Sequence, residues 1–440
     1  MRDFLKEIEN RILVYDGSTG YLLQLKGLKG GECGELWNLT NREAVTDIYR
    51  AYIEAGSDVI QTNTFQGNRL HLQKYALDEK TYEINFWGAR LAREAAGENH
   101  FVSASIGPLG ILFEPSGELN FETAYEIYRE QVKAVADGGA DVINFETFTD
   151  LAEMRAALLA AKETTDLPVI CSLAFENNGR TLMGTEPFLA VTVLKALGAD
   201  MIGANCSFGP EHMLGIAKGM FEAGRGYLSI KPNAGLPQMI GNEVRYEETA
   251  EHFASVSAGF IKYGARLIGG CCGSTPDYIK ALKRKVSFLQ PVAVRQGPSG
   301  IITSSVRYVD CKKLDWQQVG ILDASKDKGL LDALYKNDFS FIEDTALDMA
   351  SEGYDAVYVN VDAANGDDGL LSSVVDRIQW YVKAPLIIET TKPGSLNIAL
   401  RIYRGVAGVA AANIPKQSQS FLKEAAAKFG CVIVTPGLNI

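Results

Sequence analysis

Short apolar runs, each closed by a polar or glycine-rich turn, alternate along this chain with stretches whose apolar positions recur every three to four residues. The first pattern predicts strands buried on both faces and the second predicts amphipathic helices. Ile12-Leu13-Val14-Tyr15 runs into the turn Asp16-Gly17-Ser18-Thr19-Gly20, and a helix from Arg42 to Ala55 stops at Gly56. Further strands are expected at Asp58 to Phe65, Phe101 to Pro108, Asp141 to Thr147 and Pro168 to Leu173. Helices over about 81–96, 121–136 and 151–164 separate them, and a helix from Ala190 to Leu197 precedes the strand that ends at Cys206. Tyr227 to Asn233 is the seventh such strand, and Leu267-Ile268-Gly269-Gly270 before Cys271 is the eighth.

A shared helix-to-strand phrase recurs: Gly56-Ser57-Asp58, Gly139-Ala140-Asp141, Gly198-Ala199-Asp200 and Gly264-Ala265-Arg266. Eight βα units in about 290 residues match a (β/α)8 TIM barrel. A doubly wound open sheet competes, but no Gly-x-Gly-x-x-Gly follows the first strand. Residues 291–312 then lapse into the linker composition Pro-Val-Ala-Val-Arg-Gln-Gly-Pro. From 313 to 440 the alternation resumes with five strand-like runs, including Asp355 to Asp362, Pro385 to Thr390 and Cys431 to Val434. Five cannot close a barrel of eight, so a smaller, incomplete, half-barrel-like α/β domain is expected. Its unclosed sheet has an edge that needs covering, which a homo-oligomer would do.

A net charge of -11 argues against a nucleic-acid face and against an anionic membrane surface. No apolar run approaches signal-peptide or membrane-span length. Seven scattered cysteines form no secreted disulfide framework, so a cytoplasmic protein with available thiols is expected. No redox role is assigned to Cys33, Cys171, Cys311 or Cys431.

In such a barrel the reactive groups stand at the carboxyl ends of the strands. Those ends are Asp16 to Thr19, Asn63 with Thr64, Ser105, Glu146, Cys206, Asn233, and Cys271 with Cys272. Three thiolates with one position left open is how catalytic zinc is held. The alternative is three buried cysteines packed as small apolar residues. Asp16 and Glu146 suit a substrate's ammonium, and the turn at Gly17 and Ser18 offers backbone N–H groups to a carboxylate. Asp16 could equally close its own turn, and Asn63 and Asn233 could be strand-end hydrogen-bonders. Glu146, following Val142-Ile143-Asn144-Phe145, is half buried and needs a partner.

Residues 1–290 resemble the zinc-dependent homocysteine S-methyltransferase family, and in detail the homocysteine-binding barrel of cobalamin-dependent methionine synthases. The carriers are Asp16-Gly17-Ser18-Thr19-Gly20, Gln61-Thr62-Asn63-Thr64-Phe65, Ser105-Ile106-Gly107-Pro108, Glu146-Thr147-Phe148, Gly203-Ala204-Asn205-Cys206 and Gly269-Gly270-Cys271-Cys272-Gly273. The resemblance implies a methyltransferase in which Cys206, Cys271 and Cys272 bind zinc and the homocysteine sulfur takes the fourth position. Asp16 and Glu146 would hold the amino acid portion, and Asn233 would fill the open zinc position when substrate is absent. The second unit resembles the first half of the pterin-binding module of the same enzymes, with Asn360, Asp362 and Asn413 where that family keeps polar pterin contacts. It departs at Tyr358, which stands for an aspartate, and at Glu389-Thr390-Thr391, which replaces Asp-Ser-Ser.

The chain has no Asp-x-His-x-x-Gly corrinoid motif, and its histidines are His71, His100, His212 and His252. Methylcobalamin as donor would therefore arrive on a separate corrinoid protein. Direct transfer from S-methylmethionine or betaine is the alternative, and a non-catalytic zinc-binding scaffold is a third reading.

Overall fold

The computed structural model describes residues 3–114, 116–224, 226–235, 237–240, 243–246, 248–411 and 420–435. Two compact units result, one of residues 1–183 with 199–296 and one of 184–198 with 297–440.

In the first unit eight parallel strands form one sheet: β1 (Leu13–Val14), β2 (Val59–Gln61), β3 (Phe101–Ile106), β4 (Val142–Phe148), β5 (Val169–Leu173), β6 (Met201–Asn205), β7 (Tyr227–Lys231) and, after a hairpin of β8 (Pro237–Ile240) and β9 (Glu243–Tyr246), β10 (Ala265–Ile268). Their order is β1-β10-β7-β6-β5-β4-β3-β2. A parallel bridge between Tyr15 and Val59 joins the two ends and closes the barrel. The hairpin is an addition to the expected βα order. Its sequence, with Pro237 at the start and no clean alternation of apolar and polar positions, reads as a loop.

The recurring helix-to-strand phrase has a structural cause. Gly56, Gly139, Gly198 and Gly264 all adopt left-handed φ values, from 80° to 101°, which a Cβ would penalise. After the first three of these glycines, the aspartate two residues on accepts a backbone N–H near the start of a neighbouring strand: Val14 N to Asp58 at 2.9 Å, Val102 N to Asp141 at 2.7 Å, and Val169 N to Asp200 at 2.8 Å. Each aspartate is also paired with a cation, Lys283, Arg93 and Lys162 respectively. The amino end of the barrel is plugged by the helix Phe4–Asn10, capped by Asp3, whose Phe4 and Ile8 pack among Leu13, Val59, Phe101, Val142, Ile170, Met201 and Leu267. This plug fixes the polar side chains of the barrel interior to the opposite, carboxyl end.

The second unit contains a five-stranded parallel sheet in simple order, β13 (Val319–Asp323), β14 (Ala356–Asn360), β15 (Leu386–Ile388), β16 (Gly408–Ala410) and β17 (Val432–Val434). It is preceded by an antiparallel hairpin, β11 (Ile301–Thr303) with β12 (Tyr308–Asp310), inside the stretch read as linker. Ile302 of that hairpin packs with Val319, Ala356, Tyr358, Ile387 and Ala410 on one face of the sheet. The helix Pro187–Ala196 also belongs to this unit, with Phe188 against Tyr308 at 4.8 Å between ring centroids. Among the described residues no helix is long and apolar enough to cross a membrane.

Candidate active site and metal centre

The carboxyl ends of the barrel strands surround a cavity of about 440 Å³. Gly17, Ser18, Thr19, Asn63, Ser105, Glu146, Cys206, Cys271 and Cys272 all line it, as do Gln61 and Lys231. Asp16 and Asn233 are not part of the lining. A larger hollow, about 840 Å³, lies at the amino ends of strands beside Arg93, His100 and Asp141, where Arg93 is already bonded to Asp141.

The three thiols converge because β7 lies between β6 and β10 and its carboxyl extension stitches their loops together. Cys206 N donates to Lys231 O at 3.3 Å, Cys271 N to Pro232 O at 2.8 Å, and Ala234 N to Cys272 O at 2.9 Å. Asn233 Oδ1 accepts from Cys272 N at 3.1 Å. Cys206 holds φ at 55°, a left-handed turn that ends its strand. The three sulfurs lie within 4.8 Å of one another, with Cys206 and Cys272 at 3.4 Å. Two thiolates on a tetrahedral zinc stand roughly 3.8 Å apart, so the donor set fits such an ion in type and spacing. Hydrogen bonds from Cys206 and Cys271 hold the Cys272 thiol well below its usual range, and the same sharing pushes Cys206 up.

Glu146 has the partner its burial demands. Lys231 Nζ bonds to its Oε2, and both side chains are at most 5% exposed. Ser105 Oγ and Gln61 Nε2 donate to Oε1, the latter at 3.0 Å, and Asn205 Nδ2 approaches Oε2 at 3.4 Å. Lys231 also donates to Gln61 Oε1. Sequence reading passed over Lys231, Gln61 and Asn205 as site residues. The available signal for Lys231 was a lysine at the carboxyl end of the apolar run Tyr227 to Ile230, the same position in which Glu146 was noticed.

Asp16 is fully buried. Its Oδ2 accepts from Gln61 N at 2.6 Å, and its Oδ1 is buried with no partner among the described residues. Burial pushes its carboxyl up to about 7. Gly17 is sterically required, since a Cβ there would lie 2.7 Å from Ser274 O and 2.8 Å from the Tyr52 hydroxyl. Ser18 caps the next helix through Tyr21 N, and its own N–H donates to Ser274 O at 3.0 Å. That N–H is thus occupied, whereas no acceptor for the Gly17 N–H is found among the described residues, so of the two N–H groups expected to face a carboxylate only that of Gly17 is open. Thr19 Oγ1 is buried without a partner among the described residues. Both N–H groups of the Asn63 amide go to Gly34 O and Asn38 Oδ1, so this residue also builds the wall.

In the second unit the polar strand-end groups bond to one another. Asn360 Oδ1 accepts from Asp362 N, and the Asp362 carboxylate accepts from Thr390 and Thr391 hydroxyls and Thr391 N at 2.6–2.7 Å. The Tyr358 hydroxyl donates to Glu389. Asn413 lies outside the described residues.

Methionine synthase of Mycobacterium tuberculosis (strain ATCC 25618 / H37Rv) is 29% identical over 437 residues, which cover 93% of this chain and 36% of that protein. Methionine synthase of Mycobacterium leprae (strain TN) is 29% identical over 432 residues, 92% of this chain and 36% of that protein. The chain thus spans about a third of the length of these relatives. The crystal structure of the homocysteine methyltransferase MmuM from Escherichia coli, metallated form, superposes with a TM-score of 0.53 at 23% identity, covering 63% of this chain and 97% of that one, and shares the barrel fold. The family model described as homocysteine S-methyltransferase matches residues 13–286, and the chain belongs to that family of methyltransferases.

Proposed function

We propose that this chain methylates the sulfur of homocysteine, with zinc held by Cys206, Cys271 and Cys272 and with methylcobalamin on a separate corrinoid protein as the donor. The observation that carries this reading is the convergence of three thiols, all within 4.8 Å, on a cavity that also holds a buried carboxylate and a buried ammonium. Zinc bound there would keep a substrate thiol ionised at neutral pH.

The chain's own groups position the rest of the substrate. Glu146 is the acceptor for the ammonium, held in place by Ser105, Gln61 and Lys231. Asp16, whose buried Oδ1 has no partner among the described residues, is a second candidate for the ammonium, and the Thr19 hydroxyl, likewise without one among them, is available to a substrate polar atom. Asn233, beside Cys272, is the candidate for the fourth metal position when substrate is away. In the transfer the thiolate lone pair forms the S–CH3 bond while the bond from methyl to its carrier breaks, and the carrier leaves with that electron pair.

The strand-end groups of the second unit are mutually bonded, which supports a pterin-module-like sheet that binds no folate.

The test is methionine formation by zinc-loaded protein from homocysteine, with methylcobalamin, methyltetrahydrofolate, S-methylmethionine and betaine offered singly and Cys272→Ala as control. The reading expects methionine from methylcobalamin alone, abolished in the variant. Methionine from a sulfonium or ammonium donor would replace the corrinoid partner with a small molecule. Zinc binding with no product from any donor would favour a scaffold.

A further inference from the structure

The hairpin β8–β9 is an insertion between β7 and β10, and both of its feet stand on the loop that carries Cys271 and Cys272. It leaves the barrel from the segment in which Ala234 N donates to Cys272 O at 2.9 Å. Its last residue, Tyr246, pairs with Pro237 at the base of the hairpin, so the two feet are neighbours. The Tyr246 ring lies against Gly273, the residue after Cys272, where an added Cβ would fall 2.4–2.6 Å from three atoms of the ring. Gly273 also holds a left-handed φ of 79°, so its conformation and its contact both require a residue without a side chain. Just beyond the hairpin, Tyr278, on the helix that follows the metal loop, donates its hydroxyl to Glu248 O.

The other side of the loop is held by the turn after β1. Ser18 N donates to Ser274 O at 3.0 Å, and Ser18 Oγ accepts from Tyr21 N at 3.2 Å. The Tyr21 ring then meets that of Tyr246 edge to face, with centroids 5.8 Å apart. These contacts close a ring around residues 271–274, from Ser274 through Ser18, Tyr21 and Tyr246 back to Gly273. The loop needs such restraint. Side chains of adjacent residues diverge in regular backbone, so Cys271 and Cys272 converge on one point only while an irregular shape is imposed on them.

We propose that the hairpin is a clamp on the metal loop and that Tyr246 is its positioning residue, acting on Cys272 through Gly273. This rests on the zinc reading above. It gives the insertion a task within the barrel's chemistry, although Tyr246 itself touches no substrate atom in that reading.

The experiment measures zinc affinity by chelator competition, and the visible ligand-field spectrum of the cobalt(II)-loaded full chain, for wild type, Tyr246→Ala, Tyr246→Leu and Tyr246→Phe. Tyr246→Ala is expected to lose about 10- to 100-fold in zinc affinity, the usual worth of a group that orients a metal ligand. Its cobalt bands should weaken and shift as the site departs from tetrahedral geometry, a signature that general destabilisation would not produce. Tyr246→Phe keeps the ring and should match wild type in both readouts. Tyr246→Leu replaces the ring in part, so it should fall between, and it keeps the test usable if the alanine variant does not fold. Wild-type zinc affinity and an unchanged cobalt spectrum in the alanine or leucine variant overturn the proposal. So does a phenylalanine variant as weak as the alanine one, which would assign the effect to the hydroxyl instead of the ring on Gly273. Wild-type protein that binds neither zinc nor cobalt overturns the zinc reading itself.

Discussion

The side-chain amide of Asn205 clasps Thr147 twice, accepting from its backbone N–H at 2.8 Å and donating to its hydroxyl at 2.8 Å. Thr147 needs that clasp. It is a β-branched residue with φ at 67°, a conformation that costs of order 1–3 kcal/mol and persists only where its surroundings impose it. The same amide nitrogen approaches Cys271 Sγ at 3.8 Å and Glu146 Oε2 at 3.4 Å. One buried side chain thus ties the strained irregularity of β4 after the carboxylate to the thiol cluster.

Asn205→Ala should therefore loosen the thiol cluster without removing a thiol. Zinc affinity, read by competition with a chromogenic chelator, is expected to fall about 10- to 100-fold, the usual effect of losing a group that orients a metal ligand. An unchanged zinc affinity would show that Asn205 supports only the strand irregularity at Thr147.

The strand ends and the thiols were legible in the sequence because a parallel barrel sends every strand's carboxyl end to one rim, so local patterns suffice to place Asp16, Glu146, Cys206 and Cys271 there. The repeated glycine and aspartate were legible as a repeat, but not the reason for it, since Asp141 acts on Val102 of the neighbouring strand. The pairing of Lys231 with Glu146 links residues 85 positions apart and depends on a long side chain turning into the barrel. A lysine at a strand end reads as a solvated group unless the inward register is known. The occupied N–H of Ser18 was hidden for a similar reason, because its acceptor, Ser274, follows the last strand. The hairpin of β8 and β9 carries no clean alternation in its sequence, and only the backbone pairing reveals it.

Glu153 gives the fold a pH dependence. It is 6% exposed, accepts from Leu109 N at 2.6 Å and from the Tyr128 hydroxyl at 2.8 Å, and burial pushes its carboxyl from 4.5 up to about 7. The folded protein therefore keeps a proton that the unfolded chain has released, so this residue makes stability fall as pH rises from about 4.5 to about 7. Glu153→Gln keeps the acceptor and removes the charge. In denaturant titrations the variant should match wild type near pH 4.5 and gain on it up to about pH 7, by an amount on the order of 3 kcal/mol. A difference that does not change with pH would show that Glu153 does not titrate in this range.

Asp141 and Asp47 separate structural from decorative charge. Asp141, with its side chain 13% exposed, bonds Val102 N and Arg93. Asp47, 45% exposed, meets Lys26 at 3.3 Å and Arg50 at 3.6 Å on the surface. Asp141→Ala strands a strand N–H and leaves the Arg93 guanidinium its backbone acceptors but no counter-charge, and should cost about 2–4 kcal/mol. Asp47→Ala should stay within about 1 kcal/mol of wild type. Denaturant midpoints measured side by side would decide, and equal losses would remove Asp141 from the role given to it here.

Gly17 and Gly20 stand in the same turn and both line the cavity, yet they should respond oppositely to a methyl group. A Cβ on Gly17 would press on Ser274 O and the Tyr52 hydroxyl, whereas a Cβ on Gly20 meets nothing within 4 Å. Ser274 holds the metal loop in shape, because its N–H and hydroxyl both bond to Cys271 O, at 3.1 and 2.6 Å. Gly17→Ala should push that loop away from Cys206, lowering zinc affinity and slowing methyl transfer together. Gly20→Ala lies inside the helix Thr19–Leu25, where alanine is favoured over glycine by up to about 1 kcal/mol, and should leave zinc affinity unchanged while raising stability slightly. Chelator competition and thermal melts on the two variants provide the check. If Gly17→Ala binds zinc as tightly as wild type, the close approach of Gly17 to Ser274 does not govern the thiol cluster.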